Sequence, residues 1–223
     1  MSAIILDTET TDVEDNDVIE LAWESYPRNE KITRWCGRYS TDKPIRWGAL
    51  AVHNILPSDL VGLPPASRAP DDVPIVDYWI GHNIDFDWKA LGSPSSVRRI
   101  DTLAMCRDLW PEVDSHKLTA MIYYTQGANE VTRKKVLRAH SAMDDVEMCW
   151  ELLGTICEVA KLDPRDLEAL WEYSEAARIP KMWTFGKFKG QPIAAADRGY
   201  ANWCRKQPDF DPYVLEALRR AGL

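Results

Sequence analysis

The apolar residues in the first half of the chain fall in short runs separated by polar turns, a pattern typical of β-strands. Three runs near the N-terminus predict an antiparallel meander, with strands at 3–8, 18–25 and 32–39. A further strand is predicted at 75–81, followed by a helix at 86–91, and residues 99–110 predict a strand end and a helix. Strands that alternate with helices in this way indicate an α/β fold.

Helical spacing dominates the second half of the chain. It predicts helices at 117–125, 141–160 and 164–177, with a polar, basic loop at 127–138. The best-defined helix begins at Ser141, because Ser141 and Asp144 fit a capping box with Ser141 as the N-cap.

The sequence changes character after Pro180, where residues 183–192 predict a small hairpin and helical segments follow at 200–206 and 212–221. We therefore place a boundary near 178–181, between a domain at 1–178 and a small module at 179–223. Residues 178–223 hold nine Lys/Arg and four Asp/Glu, whereas residues 1–177 hold 18 and 31. An acidic body with a basic module suits an enzyme that gathers metal ions at one place and phosphates at another; the alternative is chance surface asymmetry.

Composition also predicts where the protein works. No apolar run approaches the ~18 residues that a membrane span needs, and the N-terminus has no secretory signal. The five cysteines are scattered and form no C-x-x-C pair, which argues against a disulfide framework or a zinc site. We expect a cytoplasmic protein without membrane contact.

Two carboxylates stand at the end of the first apolar strand. Asp7 and Glu9 are two residues apart, so both side chains project from one face of the strand. Such a pair repels unless a cation lies between the two groups, and oxygen ligands of this kind suit Mg²⁺ or Mn²⁺. The alternative is two ordinary acids that begin a turn.

Two later stretches carry further candidates. After the strand at 75–81, Asn83 or Asp85 is expected to cap a helix, which leaves Asp87 in its first turn, pointing over the sheet edge or compensating the helix dipole. The second stretch is His140, followed five residues later by Asp145 near the apolar stripe of its helix. A charge there is costly unless it is paired or metal-bound, so we prefer Asp145 to Asp144 as the ligand.

The ordered set of these motifs resembles the DnaQ-like 3′→5′ exonucleases, in the subgroup with four acids and a histidine (DEDDh). The motifs that carry the resemblance are Asp7-Thr-Glu-Thr-Thr11, Gly81-His-Asn-Ile-Asp-Phe-Asp87 and His140-Ser-Ala-Met-Asp-Asp145. Weaker similarity lies at Asp17-Val-Ile-Glu-Leu-Ala22, Val52-His-Asn-Ile55, Ile100-Asp-Thr-Leu103 and Ser115-His-Lys-Leu118, so it spans about residues 3–160. The resemblance implies a ribonuclease H-like fold, a mixed sheet of about five strands flanked by helices.

The resemblance also implies a mechanism. Asp7, Glu9, Asp87 and Asp145 would hold two Mg²⁺ or Mn²⁺ ions, with His140 as the general base. The protein would release 5′-mononucleotides from DNA 3′ ends, single-stranded or frayed, in DNA repair or degradation. An RNA-trimming enzyme and a non-catalytic end-binding module are the alternatives.

Substrate contacts are expected around this site and in the C-terminal module. The residues expected near the terminal nucleotide are Thr8, Thr10, Val13, His53, Asn83 and Phe86. Those expected at phosphates are Arg133 and Lys134, together with Lys187 and Lys189 in the module. The sequence departs from the family pattern at Asp12 and at His53-Asn-Ile-Leu56, which bears on substrate preference.

The C-terminal module extends the resemblance. Its segment Thr184-Phe-Gly-Lys-Phe-Lys-Gly190, followed by Tyr200 and Trp203, resembles the exodeoxyribonuclease X branch of the family. The mixture of aromatic and basic residues suits contact with nucleic acid, and a small core of rings with solvated lysines is the alternative. The resemblance also allows a homodimer.

Overall fold

The computed structural model describes residues 1–14, 16–28, 32–208 and 210–223. These residues form two compact units, one at Met1–Ser174 and one at Glu175–Leu223. The domain boundary near 178–181 stays a prediction from the sequence. Within the described part of the chain, no helix is both long and apolar enough to cross a membrane.

The first unit is built on a mixed five-stranded sheet in the order β3-β2-β1-β4-β5. The strands are β1 (Ala3–Thr10), β2 (Val18–Tyr26), β3 (Arg34–Arg38), β4 (Tyr78–Gly81) and β5 (Arg98–Asp101). The first three form an antiparallel meander, and β4 and β5 lie parallel to β1. The α/β class predicted from the sequence is confirmed.

Helices flank the sheet of the first unit, and further helices follow in the second unit. They are α1 (Trp47–His53), α2 (Ile84–Ala90), α3 (Thr102–Leu109), α4 (Leu118–Gln126), α5 (Glu130–Val136), α6 (Ala142–Ala160), α7 (Leu167–Ala177), α8 (Arg198–Lys206) and α9 (Pro212–Arg220). Short 3₁₀ helices lie at Pro57–Leu60, Ala66–Asp72 and Ile193–Ala195.

Strand β1 is central to the sheet and covered on both faces, which explains its unbroken apolar run at 3–6. On one face Ile5 packs in the cluster that holds the apolar stripe of α6, including Val146 and Leu152. On the other face Ile4 and Leu6 pack with residues of α2 and with the 3₁₀ helix near Ala69. The carboxyl end of β1 therefore emerges between two packed layers.

Two stretches fold differently from what the sequence pattern indicates, and a third agrees in part. The basic segment expected to be a loop contains α5, because the Asn129 side chain accepts the Val131 and Thr132 N–H groups at 3.0 Å each and starts a helix. The Pro-rich stretch contains α1, which the sequence pattern did not predict. The expected hairpin at 183–192 is formed in part, with an antiparallel bridge between Met182 and Pro192 and a hydrogen bond from the Trp183 N–H to the Gln191 carbonyl at 2.8 Å.

The second unit has a small core of its own. Trp183 is buried and its ring lies edge-on to Tyr200, with centroids 5.2 Å apart. Ile193, Ala201 and Leu218 belong to the same cluster. Helices α8 and α9 each have an N-cap Asp, Asp197 and Asp211, whose side chain accepts a first-turn N–H. Rings and caps thus stabilise a unit too small for a large aliphatic core.

The packing of α6 on the sheet predicts where stability resides. Leu152→Ala, at a fully buried position, should lower the free energy of unfolding by about 2–5 kcal/mol, since it leaves a cavity. Val159→Ala, at a half-exposed position of the same helix, should cost at most about 0.5–1 kcal/mol. Urea unfolding monitored by circular dichroism measures both values. Equal losses would show that α6 does not anchor this core.

Candidate active site

The site lies at the carboxyl end of β1, where elements distant in sequence meet. Asp7 and Glu9 project from the same face of β1, and Asp87 lies in the first turn of α2. Asp145 lies in the first turn of α6. A carboxylate oxygen of Glu9, one of Asp145 and a ring nitrogen of His140 lie within 4.8 Å of one another. Asp7 is close enough to Glu9, Asp87 and Asp145 for their charges to raise its pKa.

Thr8 fixes the position of Asp87. Oδ1 of Asp87 accepts two hydrogen bonds from Thr8, from the backbone N–H at 2.9 Å and from Oγ1 at 2.7 Å. The hydroxyl of the buried Thr8 is therefore engaged by the Asp87 carboxylate. Asn83 is the N-cap residue of α2, but its side chain makes no capping bond. Asp85 pairs with Arg99 at 2.6 Å, so neither of the two predicted caps is formed by a side chain.

The start of α6 differs from the predicted capping box. Ser141 is the N-cap residue, yet its side chain makes no capping hydrogen bond, and Asp144 pairs with Arg138 at 3.4 Å. The Ala142 N–H instead donates to Oε2 of Glu20 on β2, at 2.8 Å. A partner 122 residues away in sequence has replaced the local cap. In the sequence, Glu20 is part of a weak motif only, and nothing there predicts this role.

Burial and the charges of neighbouring carboxylates raise the pKa values of these four acids. Burial, then the charges of Asp87, Asp145 and Glu9, raises the pKa of Asp7 well above its usual range. Burial, then the charges of Asp145, Glu20 and Asp87, raises the pKa of Glu9 to about 8. Burial, then the charges of Asp144 and Glu20, raises the pKa of Asp145 to about 7, although the hydrogen bond from the His140 N–H opposes the shift. Burial also raises the pKa of Asp87 to about 7, although its bonds to Thr8 oppose the shift.

This donor set fits a divalent cation. Oδ1 of Asp145 is buried and has no hydrogen-bond partner among the described residues, while its Oδ2 accepts the His140 N–H at 3.2 Å. Clustered carboxylate oxygens suit hard ions such as Mg²⁺ and Mn²⁺, which would neutralise the repulsion and give the buried oxygen a partner. The residues present therefore fit a metal site.

His140 lies on the loop before α6, and its backbone has a φ of 72°. This left-handed conformation is uncommon for residues other than glycine and is often found at functional positions. Partial burial and the charge of Lys117 lower the pKa of His140, so its ring is neutral near pH 7. A neutral imidazole beside the acids is suited to accept a proton.

The predicted contacts to the terminal nucleotide differ in accessibility. Val13 is 74% exposed, Asn83 is exposed and Phe86 is half-buried. His53 is buried, and its Nδ1 accepts the Ile55 N–H at 2.9 Å. The hydroxyl of Thr10 donates to the Asp12 carbonyl at 2.8 Å.

The predicted phosphate contacts lie on exposed parts of the two units. Arg133 and Lys134 are exposed on α5, and Arg133 pairs with Glu130 at 2.7 Å. In the second unit Lys189 is exposed, and Lys187 pairs with Asp197 at 3.2 Å.

The fold is similar to that of solved exonuclease structures. One structure that it resembles is exonuclease X in complex with 5′ overhanging duplex DNA, with a TM-score of 0.59 and 19% identity, covering 77% of this chain and 99% of that one. Another is the zinc-bound form of the E. coli ExoI–ssDNA complex, with a TM-score of 0.56 and 16% identity, covering 81% of this chain and 43% of that one. No protein-family model and no curated protein sequence matches the chain. At these identities the likeness shows the fold, and the predicted ribonuclease H-like architecture is confirmed.

The raised pKa values predict how metal binding and stability depend on pH. Without divalent cations, the melting temperature should fall as the pH rises from about 5 to about 8. The acids are protonated in the folded protein up to about pH 7–8 but ionise near pH 4 in the unfolded chain, so stability present at low pH is lost as the pH rises through the folded values. At pH 8, Mg²⁺ at about 100 times its Kd should raise the melting temperature by roughly 5–10 °C.

The matched variant is Asp7→Asn, which removes one of the repelling charges. It should raise the melting temperature of the metal-free protein at pH 8 and reduce the gain from Mg²⁺. Differential scanning fluorimetry at both pH values measures each effect. A melting temperature that does not respond to pH or to Mg²⁺ would contradict the assignment of this cluster as a metal site.

Proposed function

We propose that the protein is a metal-dependent 3′→5′ exonuclease that hydrolyses the terminal phosphodiester bond of DNA and releases 5′-mononucleotides. The observation that carries the proposal is the convergence of four acids and one histidine at the carboxyl end of a central strand. A cluster of buried acids with raised pKa values is suited to binding metal ions. A neutral histidine beside them is suited to accepting a proton. Both of the similar structures described above are complexes with DNA, which supports DNA as the substrate.

Asp7, Glu9, Asp87 and Asp145 would hold the two Mg²⁺ or Mn²⁺ ions. Such ions, when bound, stabilise the negative charge that develops on phosphate oxygens and make water a better nucleophile. His140 would take the proton from the attacking water through its neutral ring. Thr8 would contribute by orienting Asp87, as its two hydrogen bonds indicate.

The chain offers groups that would hold the DNA end. Val13, exposed on the loop after β1, would pack against the terminal base, with Phe86 and Asn83 at the start of α2. His53 and Thr10 would shape the floor of this pocket. Arg133 and Lys134 would contact backbone phosphates that approach the site. The acidic body would otherwise repel DNA, so these cations would matter for binding.

The second unit would bind the DNA single strand. Trp203 is 49% exposed and Phe185 is 38% exposed. The Trp203 ring stacks on Tyr200 with centroids 5.4 Å apart. Exposed rings that their neighbours hold in place are suited to stacking on bases, and Lys189 and Lys187 add positive charge. Trp183 is buried and therefore belongs to the core of this unit.

The direct test is nucleotide release from a 3′-labelled or 5′-labelled single-stranded DNA oligomer and its RNA counterpart, with Mg²⁺, Mn²⁺ or EDTA. We expect stepwise shortening from the 3′ end of DNA that EDTA abolishes. Asp7→Ala should reduce the rate by about 10³-fold or more, because it removes a ligand of the metal site. Asp163→Asn, an exposed acid paired with Arg165, is the matched control and should leave the rate unchanged.

The outcomes separate the alternatives. Faster release from RNA would make the protein an RNA-trimming exonuclease. Binding of DNA ends without release from either substrate would favour the non-catalytic module. Release that persists in EDTA would contradict metal dependence.

The proposed role of the second unit is tested by DNA affinity in an Asp7→Ala background, which removes hydrolysis. Trp203→Ala should weaken binding of a single-stranded oligomer by about fivefold, since a stacked base contributes about 1 kcal/mol or more. Met182→Ala, another exposed apolar residue of this unit, should have no effect. Fluorescence anisotropy measures both affinities, and equal values would remove the stacking role.

A further inference from the structure

Three residues lie opposite one another across the first three strands, on the face of the sheet that carries the acids. Glu9 on β1 pairs with Glu20 on β2, and Glu20 pairs with Arg38 on β3. Glu20 is only 3% exposed. Like charges directly opposite on neighbouring strands are destabilising, so a second buried glutamate beside Glu9 requires specific compensation.

Both carboxylate oxygens of Glu20 are engaged. Oε1 accepts a hydrogen bond from Nε of Arg38 at 2.6 Å, and Oε2 accepts the Ala142 N–H at 2.8 Å. Arg38 offsets part of this charge, while the charge of Glu20 still raises the pKa of Glu9 and of Asp145. Ala142 is the first residue of α6, where N–H groups have no partner within the helix.

This contact fixes a short segment on which the site depends. His140, with its left-handed backbone, and Asp145 lie on either side of Ala142. Asp145 is tied to His140 through the His140 N–H, and the Asp145 N–H donates to the Ser141 carbonyl at 3.0 Å. The Ser141 side chain adds no cap. Glu20 therefore joins the first residue of α6 to the strand beside Glu9 by a hydrogen bond.

We propose that Glu20, supported by Arg38, is a positioning residue that sets where Asp145 and His140 lie relative to Glu9. Its contribution to hydrolysis rests on the proposed exonuclease function. Its effect on the start of α6 and on the metal site does not require that function. Glu20 would fix the position of the first turn of α6, because Ser141, the N-cap residue of this helix, makes no side-chain cap.

The same sheet contains a matched control four residues along β2. Glu24 is 1% exposed and lies opposite Ile5 and Arg34. It pairs with Arg34 at 2.6 Å and with Arg28. Glu24 therefore has the same charge, burial and kind of partner as Glu20, but its neighbour on β1 is apolar. Removing Glu24 carries the cost of breaking a buried ion pair, and its partner Arg34 keeps a second ion pair with the partly exposed Glu147 of α6 at 3.0 Å.

The experiment compares Glu20→Ala, Glu20→Gln and Glu24→Ala in the full chain. The first readout is hydrogen exchange of the Ala142 amide by NMR, which Glu20→Ala should accelerate by about tenfold or more. The second is Mn²⁺ affinity by calorimetry, which should fall by about 10–100-fold, the usual range for loss of a residue that orients ligands. Glu20→Gln keeps one acceptor oxygen and should recover part of both losses. Glu24→Ala should change neither value.

The third readout compares the effect of Glu20→Ala on kcat with its effect on KM. With DNA as substrate, Glu20→Ala should lower kcat by about 10–100-fold and leave KM within about twofold, because the terminal nucleotide contacts are untouched. Failure of the wild type to release nucleotides would defeat the proposed function, and the exchange and Mn²⁺ measurements would still decide the role of Glu20.

The proposal is overturned if Glu20→Ala and Glu24→Ala give the same Ala142 exchange and the same Mn²⁺ affinity. If Glu20→Ala does not fold, Glu20→Gln is compared with Glu24→Gln, and the proposal requires the larger loss of Mn²⁺ affinity in Glu20→Gln.

Discussion

Repulsion among carboxylates at the carboxyl end of β1 shapes the rest of this structure. Asp7, Glu9, Asp87 and Asp145 are brought together in a largely buried space, where burial and the charges of neighbouring carboxylates raise their pKa values. Folding must oppose this cost with the apolar packing of β1 and α6 beneath the site. Such an arrangement is stable at neutral pH when a cation balances it, which is why the cluster points to metal chemistry.

The surrounding residues hold the acids in place without adding net charge. Thr8 is neutral and donates twice to Asp87. Glu20 brings a negative charge, but Arg38 accompanies it directly across the sheet. The site thus consists of ligands, supports and a proton acceptor drawn from β1, β2, β3, α2 and the start of α6. This mode of assembly explains why a helix with a weak local cap can carry a residue that must be placed accurately.

The second unit follows a different principle. Its core consists of aromatic rings that pack edge-on around Trp183, and some rings of the same network reach the surface. Rings that build a small core also provide flat, rigid surfaces, so folding and base stacking are compatible in one cluster. The excess of basic residues in this unit suits a phosphate backbone, whereas the acidic body suits metal ions.

The sequence by itself determined the α/β class, the main strands and the candidate acids. Apolar periodicity and motif spacing are local patterns that can be read directly from the order of residues. It did not determine α5, which begins at the Asn129 cap within a basic stretch that resembles a loop. It did not determine α1 either, which forms in a proline-rich stretch without a side-chain cap. Tertiary structure alone decided that Thr8 binds Asp87 and that Glu20, rather than Ser141, satisfies the start of α6. These contacts join residues 79 and 122 positions apart, and hydrogen bonds across such separations leave no periodic signal in the chain.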